Sequence, residues 1–175
     1  MKEIRLDGFT EALADSSNIV ITNHTNPDGD AMGSALALAH VLKGLGKNVS
    51  VIVPNPYPKF LWHLQGNDAV MIYSNGKKSA NQKIEEAHML FHLDYNAYGR
   101  AADMEEALRN ASGKKVMIDH HQQPEDWPDK GISSSHNFHD DKTCYTNAAY
   151  YKGPVSTTNT GENCQLWSET TVQTA

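Results

Sequence analysis

Two patterns of apolar positions alternate along the first 131 residues of the chain. Short apolar runs rich in Val, Ile and Leu predict buried β-strands at residues 18–24, 47–54, 69–73, 88–94 and 114–121. Between them, apolar residues at helical spacing and strong helix formers predict helices at residues 7–17, 33–45, 58–66, 77–87 and 101–112. This alternation is typical of an α/β fold, in which a parallel sheet has helices on both faces.

Three of the predicted strands end in ionisable residues. The first strand leads to His24, the fourth to Asp94, and the last to Asp119, His120 and His121. Ligands of open α/β sheets bind at the carboxyl ends of the strands. If these three strands are parallel neighbours, their terminal side chains meet at one edge of the sheet.

The composition changes after residue 131. Residues 132–175 hold only four Ile, Val, Leu or Met residues, whereas residues 1–131 hold 31. So few apolar side chains cannot offset the entropy cost of ordering a segment of this length. We therefore predict a folded domain over residues 1–131, followed by a polar tail over residues 132–175. The tail is expected to be weakly ordered, or to pack only through its Tyr and Trp residues.

Composition and charge exclude several classes of protein. The chain is 39% hydrophobic and 21% charged, as soluble globular proteins are, and its net charge is -6. This charge argues against a stable complex with large nucleic acids, but not against a small anionic substrate, because bound metals can supply positive charge. No apolar run is long enough for a membrane span. Cys144 and Cys164 lack a CxxC spacing, so we expect free thiols in a cytoplasmic protein.

The candidate chemistry lies in seven acidic and histidine residues: His24, Asp28, Asp30, Asp94, Asp119, His120 and His121. Imidazole and carboxylate ligands without a thiolate suit Mn²⁺, with Mg²⁺ as the other candidate. There are more potential ligands than one ion needs, so the set favours two ions. Two ions roughly 3.5–4 Å apart can activate a water and neutralise the charge of a reacting phosphoester.

Three segments carry a family resemblance: "NHTNPDGDAMGS" at residues 23–34, "FHLDYNAYGR" at 91–100 and "MIDHH" at 117–121. In order and spacing they resemble the first three motifs of the DHH phosphoesterase superfamily. Within it, the chain is most similar to the exonucleases of short oligoribonucleotides that also dephosphorylate 3′-phosphoadenosine 5′-phosphate. The resemblance covers roughly residues 5–131.

The resemblance implies a set of metal ligands. His24 and Asp28 would bind one metal ion and Asp30 the other. Asp94 would bridge the two ions, and His120 would complete the second site.

It also implies residues that act on the substrate. His121 would face the substrate phosphate, and Asp119 would orient a histidine from behind. Ser34 and Arg100 match motif positions loosely as candidates for binding the substrate phosphate. For Arg100, a plain surface arginine after a loop is the alternative.

The chain also departs from the family pattern. That pattern has a fourth motif, in which an apolar strand leads to a further Asp ligand, and a separate C-terminal substrate-binding domain. Asp140 and Asp141 do not follow an apolar strand, and no glycine-rich, histidine-containing motif is found. We therefore expect the N-terminal part of such an enzyme, joined to a tail that does not match the family. A truncation or a shifted reading frame would explain this.

The resemblance implies a metal-dependent phosphoesterase. Its substrates would be short oligoribonucleotides or small nucleotides such as 3′-phosphoadenosine 5′-phosphate, and its activity would be weak or lost in this chain. The alternative is an inactive fragment that binds a metal or a nucleotide, and a third hypothesis is a pyrophosphatase-like activity. Outside the motifs, we expect His40, His63, His88 and His92 to be structural or surface residues. Trp62 is expected in the core rather than in a base-stacking platform.

Overall fold

The computed structural model describes residues 9–119, 121 and 125 and the backbone of residues 132–133. All of these lie in the first of two compact units, Met1–His136; the second unit, Asn137–Ala175, lies outside the described residues. The domain boundary after residue 131 and the weak order of the tail therefore stay predictions. Within the described part of the chain, no helix is long and apolar enough to cross a membrane.

The centre of the described unit is a six-stranded sheet in which every adjacent pair is parallel. Its strands are β1 (Asn18–Thr22), β2 (Asn48–Val53), β3 (Met71–Ile72), β4 (Met89–Leu93), β5 (Lys114–Ile118) and β6 (Ile132–Ser133). Their order across the sheet is β3-β2-β1-β4-β5-β6. The predicted parallel α/β fold is confirmed, and all five predicted strands are present. The sixth strand has only two residues, too few to give a readable pattern.

Four α-helices accompany the sheet: α1 (Phe9–Asp15), α2 (Gly29–Gly44), α3 (Lys77–Glu85) and α4 (Glu105–Asn110). Helix α2 begins four residues before the predicted start, because the carboxylate of Asp28 caps it. Oδ1 of Asp28 accepts the backbone N–H groups of Asp30 and Ala31 at 3.0 and 3.1 Å. The helix predicted at residues 58–66 is instead a single 3₁₀ turn, Lys59–Leu61.

Successive residues of the central strands pack into two different cores. Ile19 and Ile21 of β1 join the cluster that contains Met32 of α2, whereas Val20 joins the cluster that contains Ile84 of α3. This alternation follows from the pleat of a strand, whose neighbouring side chains point to opposite faces. Both faces of the sheet are therefore covered, and its carboxyl edge is left for the residues that follow the strands.

Candidate metal centre

The three strands that end in ionisable residues are neighbours in the sheet. Strand β4 lies between β1 and β5, and Leu93 is paired with Ile118. The backbone N–H of Asp94 donates to the carbonyl of Ile118 at 3.0 Å, so the pairing continues into the loops. The predicted meeting of His24, Asp94 and Asp119 at one edge of the sheet follows from this order.

The first cluster of potential ligands contains His24, Asp28 and Asp94. One ligand atom of each lies within 4.8 Å of the others, and Nε2 of His24 is 3.5 Å from Oδ2 of Asp94. Nδ1–H of His24 donates to the carbonyl of Thr25 at 2.8 Å. This bond fixes the ring and leaves Nε2 as its ligand atom, as in histidines that bind metals.

The second cluster contains Asp94, Asp119 and His121. Oδ1 of Asp119 accepts Nδ1–H of His121 at 2.6 Å, and Oδ2 accepts the backbone N–H of the same residue at 2.8 Å. The side chain of Asp119 is fully buried. With both oxygens directed at His121, Asp119 has the geometry of a carboxylate that orients an imidazole.

Asp94 is shared by the two clusters. Its Oδ2 faces His24, whereas its Oδ1 lies 3.8 Å from Nδ1 of His121. Its backbone has a φ of 62°, in the left-handed region that few residues other than glycine adopt. Such strain is concentrated at functional sites, where the surrounding structure holds the residue in place. The strained turn directs the two oxygens of one carboxylate toward different partners.

The electrostatics of the first cluster are dominated by Asp94. Its hydrogen bond raises the pKa of His24, although burial and the positive charge of Arg100 act in the opposite direction. The effect of Arg100 shows that its guanidinium lies within electrostatic range of His24. The carbonyl of Arg100 also accepts the backbone N–H of Thr25 at 2.7 Å. Arg100 is therefore held beside the metal cluster, although its contact with a phosphate remains a prediction.

Two of the other predicted site residues, Asp30 and Ser34, are not part of these groups of ligands. Asp30 is exposed in the first turn of α2 and, among the described residues, belongs to neither group of ligands. The hydroxyl of Ser34 donates to the carbonyl of Ala31 at 3.2 Å. His120 lies outside the described residues. The roles predicted for these three residues stay predictions.

Asn55 supports the site, and sequence reasoning missed it. Its Oδ1 accepts the hydroxyl of Thr25 at 2.8 Å and the backbone N–H of Asn26 at 2.7 Å. Its Nδ2 donates to Oδ1 of Asn26 at 2.7 Å. Asn26 has a φ of 52°, so these bonds hold the loop between His24 and Asp28 in an unusual conformation. The signal in the sequence was its place two residues after the end of β2, at the same carboxyl edge of the sheet.

The donor set fits divalent metal ions. It offers carboxylate oxygens from Asp28 and Asp94 and an imidazole nitrogen from His24, with no thiolate in either cluster. A carboxylate that faces two clusters at once is also what a site for two ions requires of its bridging ligand. Fold and site together define an α/β protein with a candidate centre for divalent metals.

Comparison with known proteins gives the family. The model of the DHH family, N-terminal domain, matches residues 18–159, and the chain belongs to this family. The DHH family depends on divalent metals, which agrees with the two clusters of potential ligands described above.

A solved structure resembles the chain closely. It is that of an exopolyphosphatase-related protein from Bacteroides fragilis, which is 41% identical and superimposes with a TM-score of 0.70. The match covers 73% of this chain but only 37% of that protein. No curated protein matches the chain.

Proposed function

We propose that this chain carries the metal-binding part of a phosphoesterase that hydrolyses short oligoribonucleotides or small nucleotides such as 3′-phosphoadenosine 5′-phosphate. Membership of the DHH family supports a phosphoesterase. The observation that carries the proposal is the position of Asp94, whose two oxygens face His24 and His121 in different clusters. The substrate class rests on the motif resemblance alone.

The proposed ligands divide between two metal ions. His24 and Asp28 would hold one divalent ion, and Asp94 would bridge it to a second ion that Asp30 and His120 would complete. We propose Mn²⁺, with Mg²⁺ as the alternative, since imidazole and carboxylate ligands without a thiolate suit hard or borderline divalent ions. When bound, such ions polarise phosphoryl oxygens and neutralise the charge that develops on them.

His121 would act directly on the substrate. Its Nδ1 is held by Asp119, which leaves Nε2 as the nitrogen that can bond a phosphoryl oxygen or protonate the leaving oxygen. The side chain is 36% exposed, so a substrate can reach it. Arg100 would neutralise a further phosphate charge, because its own charge already acts at His24.

Two other functions are tested beside the proposed one. The solved relative is described as exopolyphosphatase-related, which favours inorganic polyphosphate as a substrate. The chain spans 37% of that protein, and an inactive fragment that binds a metal or a nucleotide is the second alternative to be tested.

The proposal is tested with Mn²⁺ by phosphate release from 3′-phosphoadenosine 5′-phosphate, polyphosphate and pyrophosphate, and by chromatographic detection of mononucleotides formed from a diribonucleotide. Calorimetric titration of Mn²⁺ is run in parallel. We expect two bound ions and slow turnover of the nucleotides, which Asp94→Asn abolishes. Binding of Mn²⁺ without turnover of any substrate would instead establish the binding fragment. Turnover of polyphosphate or pyrophosphate alone would reassign the substrate.

A further inference from the structure

Hydrogen bonds connect His121 and Glu125 to the chain segment that follows Asp94. Four residues make the connection, and we call them the His121 brace: Asn96, Tyr98, Arg109 and Glu125. None of them is among the ligands of the two clusters, although Asn96 and Tyr98 lie within the motif segment at residues 91–100.

Asn96 binds the segment at two points. Its Nδ2 donates to the carbonyl of His121 at 3.1 Å, and its own carbonyl accepts the backbone N–H of Glu125 at 2.9 Å. Asn96 is buried, so both bonds are shielded from water. Because Asn96 follows Asp94 by two residues, it ties the backbone at one cluster to the backbone at the other.

The side chain of Glu125 makes the remaining contacts of the brace. Its Oε2 accepts the backbone N–H of Tyr98 at 2.9 Å, and its Oε1 accepts Nη2–H of Arg109 at 2.6 Å. The guanidinium of Arg109 also lies 4.5 Å from the centre of the buried ring of Tyr98. The carboxylate of Glu125 is thereby held between a main-chain donor and a cation whose own position is fixed.

The brace and Asp119 bond different groups of His121. Asp119 fixes the imidazole and the backbone N–H of His121, whereas Asn96 fixes its carbonyl. Together they hold the imidazole, the backbone N–H and the carbonyl of His121. Loss of the brace would remove this second set of bonds to His121.

We infer that Asn96 and Glu125 are positioning residues, which set the distance between His121 and the carboxylate of Asp94. This inference rests on the proposed function for the task of His121, since it assumes that His121 meets the substrate phosphate. A displacement of about 1 Å at a reacting group is enough to lower a rate by roughly 100-fold.

The competing explanation is an ordinary surface ion pair between Arg109 and Glu125. Their side chains are 37% and 32% exposed, and pairs this exposed contribute little to stability. The chain offers a matched control for this explanation. Glu105 pairs with the same Arg109 at 2.8 Å and is 39% exposed, but its partner lies one turn away on its own helix.

The test compares Glu125→Gln with Glu105→Gln in the full chain, using the best nucleotide substrate. We expect Glu125→Gln to lower kcat by about 10- to 100-fold, as loss of an outer hydrogen-bond partner does at metal sites. KM and the thermal unfolding midpoint should stay near their original values, and Glu105→Gln should leave kcat within about twofold. Equal kcat values for the two variants would overturn the inference.

A second measurement separates the brace from the proposed function. If the unaltered chain turns over no nucleotide, the function fails, but the brace remains testable by the affinity of the Mn²⁺-loaded chain for inorganic phosphate. Hydrogen exchange at the Tyr98 and His121 amides is followed in the same variants. Glu125→Gln is expected to weaken phosphate binding and speed both exchange rates, whereas Glu105→Gln is not. Unchanged phosphate affinity and exchange in Glu125→Gln would overturn the inference without any reference to catalysis.

Discussion

Nε2 of His24 and Oδ2 of Asp94 lie 3.5 Å apart, although 69 positions separate the two residues along the chain. The distance is set by the sheet: β1 and β4 are parallel neighbours, so the residues that follow them reach the same edge. Asp94 then adopts a φ of 62°, which turns its carboxylate toward both clusters. The candidate metal centre therefore depends on one residue in a strained conformation.

Asp94→Asn should remove metal binding without unfolding the chain. Asparagine tolerates a positive φ, so the turn is retained while the shared charge is lost. We expect Mn²⁺ affinity in calorimetry to fall by more than about tenfold, because losing an outer partner alone costs roughly 10- to 100-fold. Asp103→Asn serves as the control, since Asp103 is an exposed carboxylate paired with Lys77. Equal Mn²⁺ affinities for the two variants would exclude Asp94 as a ligand.

Asp119→Asn should lower activity through His121. Both oxygens of Asp119 accept bonds from His121, and an amide would place an N–H group against one of those donors. We expect kcat to fall by about 10- to 100-fold. In a double-mutant cycle with His121→Gln, the double variant should be hardly worse than His121→Gln alone. Additive losses would show that Asp119 acts independently of His121.

The sheet and the first parts of the site could be predicted because they depend on local patterns. Short β-branched runs mark the strands, and the ionisable residues that end them lie at the carboxyl edge of any parallel sheet. Asp28 follows the first of these strands closely in the sequence, so its place at this edge could be predicted in the same way. That its side chain caps α2 was not predicted.

The supports of the site could not be predicted, since they depend on contacts between distant segments. Asn55 acts on residues 29 or 30 positions away, and Glu125 acts on Tyr98 27 positions away. Neither residue stands out from its neighbours in the sequence.

The prediction that Trp62 is a core residue was wrong, because Trp62 is 55% exposed and only Leu61 is buried. The sequence predicts a short helix at residues 58–66. The backbone there makes a single 3₁₀ turn after Pro58, which cannot bury successive residues on one side.

Acid should destabilise the fold through His92, which is fully buried beside the hydroxyl of Tyr95. Burial, aided by the positive charge of Lys115, lowers the pKa of His92 to about 3 from 6.5. The unfolded chain therefore takes up a proton below about pH 6.5, whereas the folded chain does so only near pH 3. Stability should fall as the pH drops through this window, at up to about 1.4 kcal/mol per pH unit from this group.

The measurement is chemical denaturation of the unaltered chain and of His92→Gln between pH 7 and pH 4. The variant should lose less stability per pH unit, whatever its stability at neutral pH. Identical slopes for the two proteins would show that His92 is not the group responsible.

Gly113→Ala should destabilise the junction between α4 and β5. A Cβ at this position would lie 2.7 Å from Cδ1 of Leu90 and would also clash with the carbonyl of Ala87. The added methyl group would therefore meet backbone as well as side-chain atoms. The backbone N–H of Lys114, the next residue, donates to the carbonyl of His88 at 2.9 Å, and this bond keeps β4 and β5 from moving apart. Overpacking of this kind costs about 1–3 kcal/mol.

Gly33→Ala is the matched control, because it adds the same methyl group within α2, where no atom beyond the adjacent residues and the backbone of the helix lies within 4 Å. It should stabilise the chain by about 0.5–1 kcal/mol. Denaturant midpoints of the two variants should therefore move in opposite directions, and a shift of both in the same direction would contradict the steric account of Gly113.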